Sequence, residues 1–161
     1  MENKKIVVTS TSSSRVGINI PELHFKRVWE KRNSKISIDF SILQEMIYDP
    51  GVHYLFEQGI LYIDDMDAKI ELGLEDEGTE VPTKVIKLEE AQLKRALGPM
   101  ILADFKKFFN GLTEEQKFQV AEYAIEHELS DFSKQEVIKE GTGINVLSAI
   151  QLNRTNKEEN N

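Results

Sequence analysis

The sequence TEEQKFQVAEYAIEHEL, residues 113–129, carries the clearest structural signal in the chain. Thr113 and Gln116 have the spacing of a capping box, in which each side chain accepts a hydrogen bond from the backbone amide of the other residue. Apolar side chains then recur at helical spacing, at Phe118, Ala121, Ile125 and Leu129. The segment therefore predicts an amphipathic helix.

Similar patterns on both sides predict a helical C-terminal part, residues 83–154. The predicted helices cover residues 88–97, 100–109, 133–141 and 144–153, and the third begins at a second capping box, Ser133–Glu136. The last two helices are spaced like a helix-turn-helix, but residues 113–154 contain four basic and eight acidic side chains, which does not suit a DNA-binding surface. Residues 155–161 contain no hydrophobic residue and are predicted to be disordered.

The N-terminal part, residues 1–74, has the alternation typical of strands. Val16, Ile18 and Ile20 alternate with small or polar residues, which predicts a half-buried strand that ends at Pro21. Further strands are predicted at residues 5–10, 23–29, 35–38 and 60–63, with a hairpin loop at 31–35 and with helices that begin after Asp39 and Asp65.

Residues 75–82 are acidic and rich in turn formers, which predicts an exposed loop or linker between the two parts. The whole sequence therefore predicts an α+β fold. We expect a small N-terminal β-sheet with packed helices, followed by a C-terminal helical bundle.

The composition excludes several functional classes. The chain has 161 residues, of which 40% are hydrophobic and 30% charged, so it can form a compact core. The absence of cysteine excludes disulfides, thiolate metal sites and cysteine nucleophiles. No apolar run approaches the roughly 18 residues needed to cross a bilayer, and no secretory signal is recognisable at the N-terminus. We expect a protein with no membrane partner, located in the cytoplasm or, if phage-encoded, in the virion.

No motif indicates catalysis, a metal site or a cofactor. His24, His53 and His127 are far apart, and none has a second histidine three or four residues away. The sequence contains neither a glycine-rich phosphate loop nor a nucleophile elbow. We therefore expect a non-enzymatic protein without metal or cofactor. The alternative of a small enzyme would require a pocket lined by converging ionisable groups.

The charge is unevenly distributed. Residues 1–35 contain eight basic and three acidic side chains, a net charge of +5, whereas the whole chain carries −8. The remaining 126 residues therefore carry −13. Such a distribution attracts the basic segment of one copy to the acidic part of another copy, or to nucleic acid.

Residues 24–32, HFKRVWEKR, combine cations with aromatic rings, as single-strand nucleic-acid binders do. The same residues also fit an amphipathic strand in which Trp29 is a core residue, and the sequence favours that interpretation. An exposed arm, residues 1–20, is expected to add a strand to the sheet of a neighbour. The predicted partner-binding residues are Arg15, Val16, Ile18, Ile20, Lys26, Arg27, Trp29, Lys31 and Arg32.

Two blocks of sequence together suggest a family. The first contains SRVGINIP at residues 14–21, RVW at 27–29, DPG at 49–51 and FEQGILYI at 56–63, and the second is TGINVLSAIQLNR at 142–154. The arrangement resembles small structural proteins of tailed bacteriophages, which form decoration, connector or cargo components of the virion. This resemblance implies an assembly protein whose partners are capsid, portal or tail proteins or further copies of itself, and it implies no catalytic residues. The alternative is a nucleic-acid-binding or regulatory module that uses residues 24–32.

Overall fold

The computed structural model describes residues 3–160. The chain forms two compact units, with the boundary after Lys87. The predictions for the first two residues of the N-terminal arm and for the last residue of the tail lie outside the described residues. The first unit contains both sheets and three α-helices, and the regular secondary structure described in the second unit consists of helices. The predicted α+β class is confirmed.

Five strands and three α-helices form the first unit. The strands are β1 (Lys5–Ser10), β2 (Val16–Ile20), β3 (Phe25–Trp29), β4 (Lys35–Asp39) and β5 (Leu61–Ile63), and a 3₁₀ turn, Pro21–Leu23, separates β2 from β3. The helices are α1 (Phe40–Met46), α2 (Pro50–Glu57) and α3 (Met66–Glu71). The second unit contains α4 (Glu90–Leu97), α5 (Leu102–Asn110), α6 (Glu114–Glu126), α7 (Phe132–Thr142) and α8 (Val146–Glu159).

The strands form two separate antiparallel sheets, one with the order β4-β1-β5 and one with β2 paired to β3. The hairpin predicted at residues 31–35 is therefore wrong, because β3 and β4 belong to different sheets. The segment instead crosses from one sheet to the other, held by hydrogen bonds between Ser10 at the end of β1 and the backbone of Asn33 and Ser34.

The predicted free arm is also wrong for residues 5–10. These residues form β1, the central strand of the three-stranded sheet, with Val8 opposite Ile36 on one side and Ile63 on the other. Strand β4 covers one edge of β1 along Lys5–Thr9 and β5 covers the other edge along Val8–Ser10, so β1 is part of the sheet and not a free arm. Within residues 3–20, a strand edge is left uncovered by the described strands along β2 and along Lys5–Val7 on the β5 side of β1.

The core of the first unit is organised around Trp29. Its ring is fully buried, and its indole Nε1 donates a hydrogen bond of 2.9 Å to the carbonyl oxygen of Val8. A buried indole N–H needs such a partner, because an unpaired polar group in the core lowers stability. Phe40 and Leu43 of α1 belong to the same cluster, so the helix packs on the apolar face that the alternating strands present.

Several helices begin where the sequence predicts. Asp65 caps α3 by accepting from the amide of Ala68, and Thr113 and Gln116 form both hydrogen bonds of the predicted capping box. The N-cap of α7 differs, because Asp131, two residues before Ser133, accepts from the amide of Lys134. Asp39 occupies the N-cap position of α1 but makes no side-chain capping hydrogen bond.

The ends of α7 and α8 also differ from the prediction. Helix α7 continues through Gly141 to Thr142, and Gly143 ends it in the left-handed conformation that favours glycine. A Cβ atom on Gly141 would overlap the ring of Phe109, so this glycine allows α7 to approach α5 closely. The predicted disordered tail is helical as far as Glu159, although its side chains are exposed.

Candidate functional site

The predicted partner-binding residues occupy two different environments. Val16, Ile18 and Trp29 are buried in the core of the first unit, and they cannot contact a partner in this conformation. Their burial confirms the half-buried strand predicted at residues 16–20 and the core position that the sequence favoured for Trp29. The remaining predicted partner-binding residues are exposed or half-buried: Arg15, Ile20, Lys26, Arg27, Lys31 and Arg32. Their role in binding stays a prediction.

The exposed cations Lys26, Arg27, Lys31 and Lys35 lie close together in sequence along β3 and the turn into β4, and we call this set the basic surface. Lys26 and Arg27 are consecutive in β3, so their side chains project on opposite sides of that strand. Within residues 3–160, none of the four forms an ion pair or a side-chain hydrogen bond. The neighbouring Arg15 differs, because its guanidinium lies 3.3 Å from the carboxylate of Glu30.

A pocket of about 200 Å³ lies in the first unit. All three residues of β5 line it, which places it along the outer edge of that strand, since β1 occupies the other edge. Helix α2, the end of α3 and the segments 73–75 and 84–85 complete the lining. Most of the wall is apolar, formed by Phe56, Leu61, Ile63, Leu74 and Val85.

The main polar group of this pocket is Lys69, in the last turn of α3. Its side chain is only 5% exposed. The ammonium donates to the phenol oxygen of Tyr62 over 3.1 Å and lies 4.6 Å from the centre of the same ring. Within the described chain, this phenol is the single hydrogen-bond acceptor of the Lys69 side chain. A buried ammonium has three donors, so two of them lack a protein acceptor.

Glu75 is the second buried charge of the pocket, also 5% exposed. Its carboxylate accepts from the amide of Thr83 at 2.9 Å, from the hydroxyl of Thr83 at 2.7 Å and from the amide of Lys84 at 3.3 Å. Burial acts to raise the pKa of Glu75, but these hydrogen bonds and the charge of Lys69 prevail, so the pKa lies below its usual value. Glu75 therefore holds in place the segment at Thr83 and Lys84, which contributes Lys84 and Val85 to the pocket lining.

Acidic side chains lie beside the other two basic groups of the pocket lining, His53 and Lys84. His53 Nε2 lies 3.7 Å from the carboxylate of Glu57, and Lys84 Nζ lies 3.2 Å from that of Asp76. Both pairs are largely exposed and contribute little to stability. They leave Lys69 as the lining cation with unused donors.

Sequence reasoning missed both buried charges. It assigned residues 75–82 to an exposed loop, and it gave Lys69 no role. A helical lysine and a glutamate in an acidic run are most often solvated, and the hydroxyl that fixes Glu75 lies eight residues further along the chain. Only the end of the acidic run just before Thr83 could have indicated that the chain turns back towards Glu75.

The second unit offers an apolar groove between α7 and α8, lined in part by Phe132, Leu147 and Ile150. Arg154 borders it and forms a bidentate ion pair with Glu128, at 2.9 and 3.1 Å. The hydrogen bond from Arg154 holds the pKa of Glu128 below its usual value. Both partners are exposed, so the pair fixes the border of the groove rather than a buried site.

The described residues contain no group of three or more histidine, aspartate or glutamate side chains that could hold a metal ion. No helix within residues 3–160 is both long and apolar enough to cross a membrane. Comparisons of the chain with protein-family models, with curated proteins and with solved structures found no match.

Proposed function

We propose that this protein is a non-enzymatic assembly protein that docks through its basic surface onto an acidic surface of a second copy. The observation that carries the proposal is the set of four exposed cations, Lys26, Arg27, Lys31 and Lys35, which lack acidic partners within residues 3–160. Unpaired surface cations keep their attraction for a partner, whereas an ion pair within the chain would neutralise it.

The charge of the remaining chain supports a copy of the same protein as the partner. Residues 36–161 carry a net charge of −13, so each copy offers both the basic surface and an acidic complement. Contacts between different patches of identical chains join copies head to tail and form rings or open arrays. The resemblance to tailed-phage structural proteins extends this proposal to a virion component, with capsid, portal or tail proteins as further partners.

Sedimentation velocity at about 50 mM and about 300 mM salt tests the docking, because screening weakens contacts between exposed charges. We expect association at the lower salt concentration that decreases at the higher one. The double variant Lys26→Glu/Arg27→Glu should abolish it. The matched control is Lys94→Glu/Lys106→Glu, which changes the net charge by the same amount in the second unit.

Two results would contradict this proposal. One is a strict monomer at high protein concentration and about 50 mM salt, where contacts between exposed charges are least screened. The other is association that both double variants reduce equally, since net charge rather than the basic surface would then control it.

A second candidate function is nucleic-acid binding through the same cations. The burial of Phe25 and Trp29 removes the aromatic stacking that single-strand binders use, so this alternative depends on phosphate contacts alone. A gel shift distinguishes the two. Binding at about 50 mM salt that decreases steeply at higher salt would support the alternative, and no binding at the lower concentration would remove it.

A further inference from the structure

The surroundings of Lys69 suggest a ligand site that is independent of the assembly role. Its ammonium is buried in the wall of the β5 pocket, and its one acceptor within the described residues is a neutral phenol. Burying a charge is unfavourable unless strong acceptors replace the lost water. A buried cation with too few acceptors, in the wall of a pocket, is a candidate for ligand binding.

The donors around Lys69 converge on one place. Two N–H groups of Lys69 have no acceptor among residues 3–160. The phenol oxygen of Tyr62 already accepts from Lys69, which leaves its O–H to donate to a ligand. The ammonium and the phenol oxygen are 3.1 Å apart, so both can contact the two oxygens of one anionic group. We propose that this pocket binds a small aliphatic monocarboxylate, with Lys69 and Tyr62 as the groups that hold its carboxylate.

The charge of the lining favours a monoanion. Lys84 lies beside Asp76 and Glu57 beside His53, so Lys69 and Glu75 are the lining charges that remain. Glu75 accepts three hydrogen bonds from Thr83 and Lys84, whereas Lys69 donates only to the phenol of Tyr62 within the described residues. One added negative charge can be matched by the underused ammonium of Lys69. A phosphate dianion would bring a second negative charge towards Glu57 and Glu75, and among the described lining residues Lys84 is already paired with Asp76. The chemistry therefore favours a carboxylate over a phosphate.

The walls and the volume specify the rest of the ligand. Phe56, Leu74 and Val85 offer no strong polar partner, and they suit a short aliphatic substituent on the carboxylate. The volume of about 200 Å³ lies below the range of about 300–1,000 Å³ typical of drug-sized ligands. This carboxylate can belong to a free short-chain acid or to the C-terminal residue of a peptide.

Isothermal titration calorimetry at matched ionic strength tests the proposal with 3-methylbutanoate as the probe. We expect measurable binding of the acid, and weaker binding both of its neutral amide and of inorganic phosphate. A blocked dipeptide with a free C-terminal valine identifies the source. If it binds more tightly than the free acid, the pocket recognises chain termini, and if it binds more weakly, the pocket recognises a free acid.

Two variants assign the binding to this pocket. Lys69→Met removes the ammonium and should weaken the affinity by about tenfold to a hundredfold, the usual effect of losing a hydrogen bond to a charged group. Tyr62→Phe removes one donor and should weaken it by a smaller factor, about threefold to tenfold. The control Lys106→Met changes an exposed lysine of the second unit and should leave the affinity unchanged.

Three results would overturn the proposal. They are a dissociation constant above about 10 mM for the acid, equal affinity for the acid and its amide, and unchanged affinity in Lys69→Met. The Tyr62→Phe variant and the amide probe decide the matter if Lys69→Met fails to fold.

Because Lys26→Glu/Arg27→Glu alters the basic surface and leaves the pocket lining intact, it should bind the acid normally. Failure of the docking proposal is therefore distinguishable from failure of this one.

Discussion

Each unit of the molecule contains one of the two lysines that are buried within residues 3–160, and their ammonium groups have different surroundings. Lys134 of α7 donates to the carbonyl oxygens of Ala96 and Gly98, at 2.8 and 3.1 Å, and thereby satisfies the C-terminal end of α4. Lys69 of α3 donates to one phenol and lines a pocket. Burial alone therefore does not define the role of a lysine. The number and kind of its hydrogen-bond acceptors distinguish a lysine that stabilises the fold from one that is a candidate to bind a ligand.

The environment of Lys134 explains why it is structural. The last carbonyl groups of a helix have no partner within that helix, and the negative end of the helix dipole favours a cation there. The Lys134 ammonium also lies 5.6 Å from the ring centre of Phe105, which adds a cation–π contact. This lysine therefore connects α7 to the end of α4 within the helical core.

The largest effect is expected for Lys134→Met. Methionine preserves most of the side-chain volume but leaves the Ala96 and Gly98 carbonyl groups without their donor, so the free energy of unfolding should decrease by about 2–3 kcal/mol. Urea denaturation measures it. The control Lys139→Met, at an exposed position of the same helix, should change stability by less than about 0.5 kcal/mol. A loss in Lys134→Met as small as that in the control would contradict the structural role.

A smaller effect is expected for Glu75→Gln. An amide places an NH₂ group among the donors of Thr83 and Lys84, so at pH 7 the free energy of unfolding should decrease by about 1–2 kcal/mol. The contribution of Glu75 is present above its unfolded-state pKa and is lost as the pH falls, since its folded-state pKa is lowered.

The pH dependence checks the cause of that effect. The difference in the free energy of unfolding between wild type and Glu75→Gln should shrink as the pH decreases below about 4. Glu77→Gln, at an exposed position in the same acidic segment, should show a smaller difference at every pH. A Glu75→Gln difference that stays constant down to pH values near about 3 would show that the carboxylate charge is not the cause.

The smallest effect on stability is expected for Lys69→Met. The change removes one hydrogen bond and one buried charge while methionine keeps apolar contacts, so the free energy of unfolding should stay within about 1 kcal/mol of wild type. Tyr62→Phe should destabilise the protein more in the wild-type background than in the Lys69→Met background, because it removes the acceptor of a buried ammonium. Equal losses in the two backgrounds would mean that the two side chains are not coupled.

Local patterns in the sequence predicted much of the fold, and distant contacts account for what they missed. The boundaries of β1 and the capping box of α6 depend on residues within a few positions of each other, and both are confirmed. The pairing of β4 with β1 joins residues about thirty positions apart, so the sequence suggested a hairpin with β3 instead. The sequence favoured Trp29 as a core residue of an amphipathic strand, and its full burial confirms that interpretation.

The candidate site was less predictable than the fold. Lys69 and Glu75 have ordinary neighbours in sequence, and their burial depends on contacts with Tyr62 and Thr83 that only the folded chain brings together. The basic surface was easier to predict, because charge is additive along a short segment and Lys26 and Arg27 stay exposed on the strand.

Lysine-selective ¹H–¹⁵N NMR provides the most direct measurement, because buried ammonium groups exchange slowly enough to observe and Lys134 serves as an internal reference for Lys69. Assignment uses the two methionine variants. On titration with 3-methylbutanoate at constant ionic strength, we expect the Nζ resonance of Lys69 to shift and saturate while that of Lys134 stays in place. An unchanged Lys69 resonance, or equal shifts of both lysines, would contradict the distinction between a binding and a structural lysine.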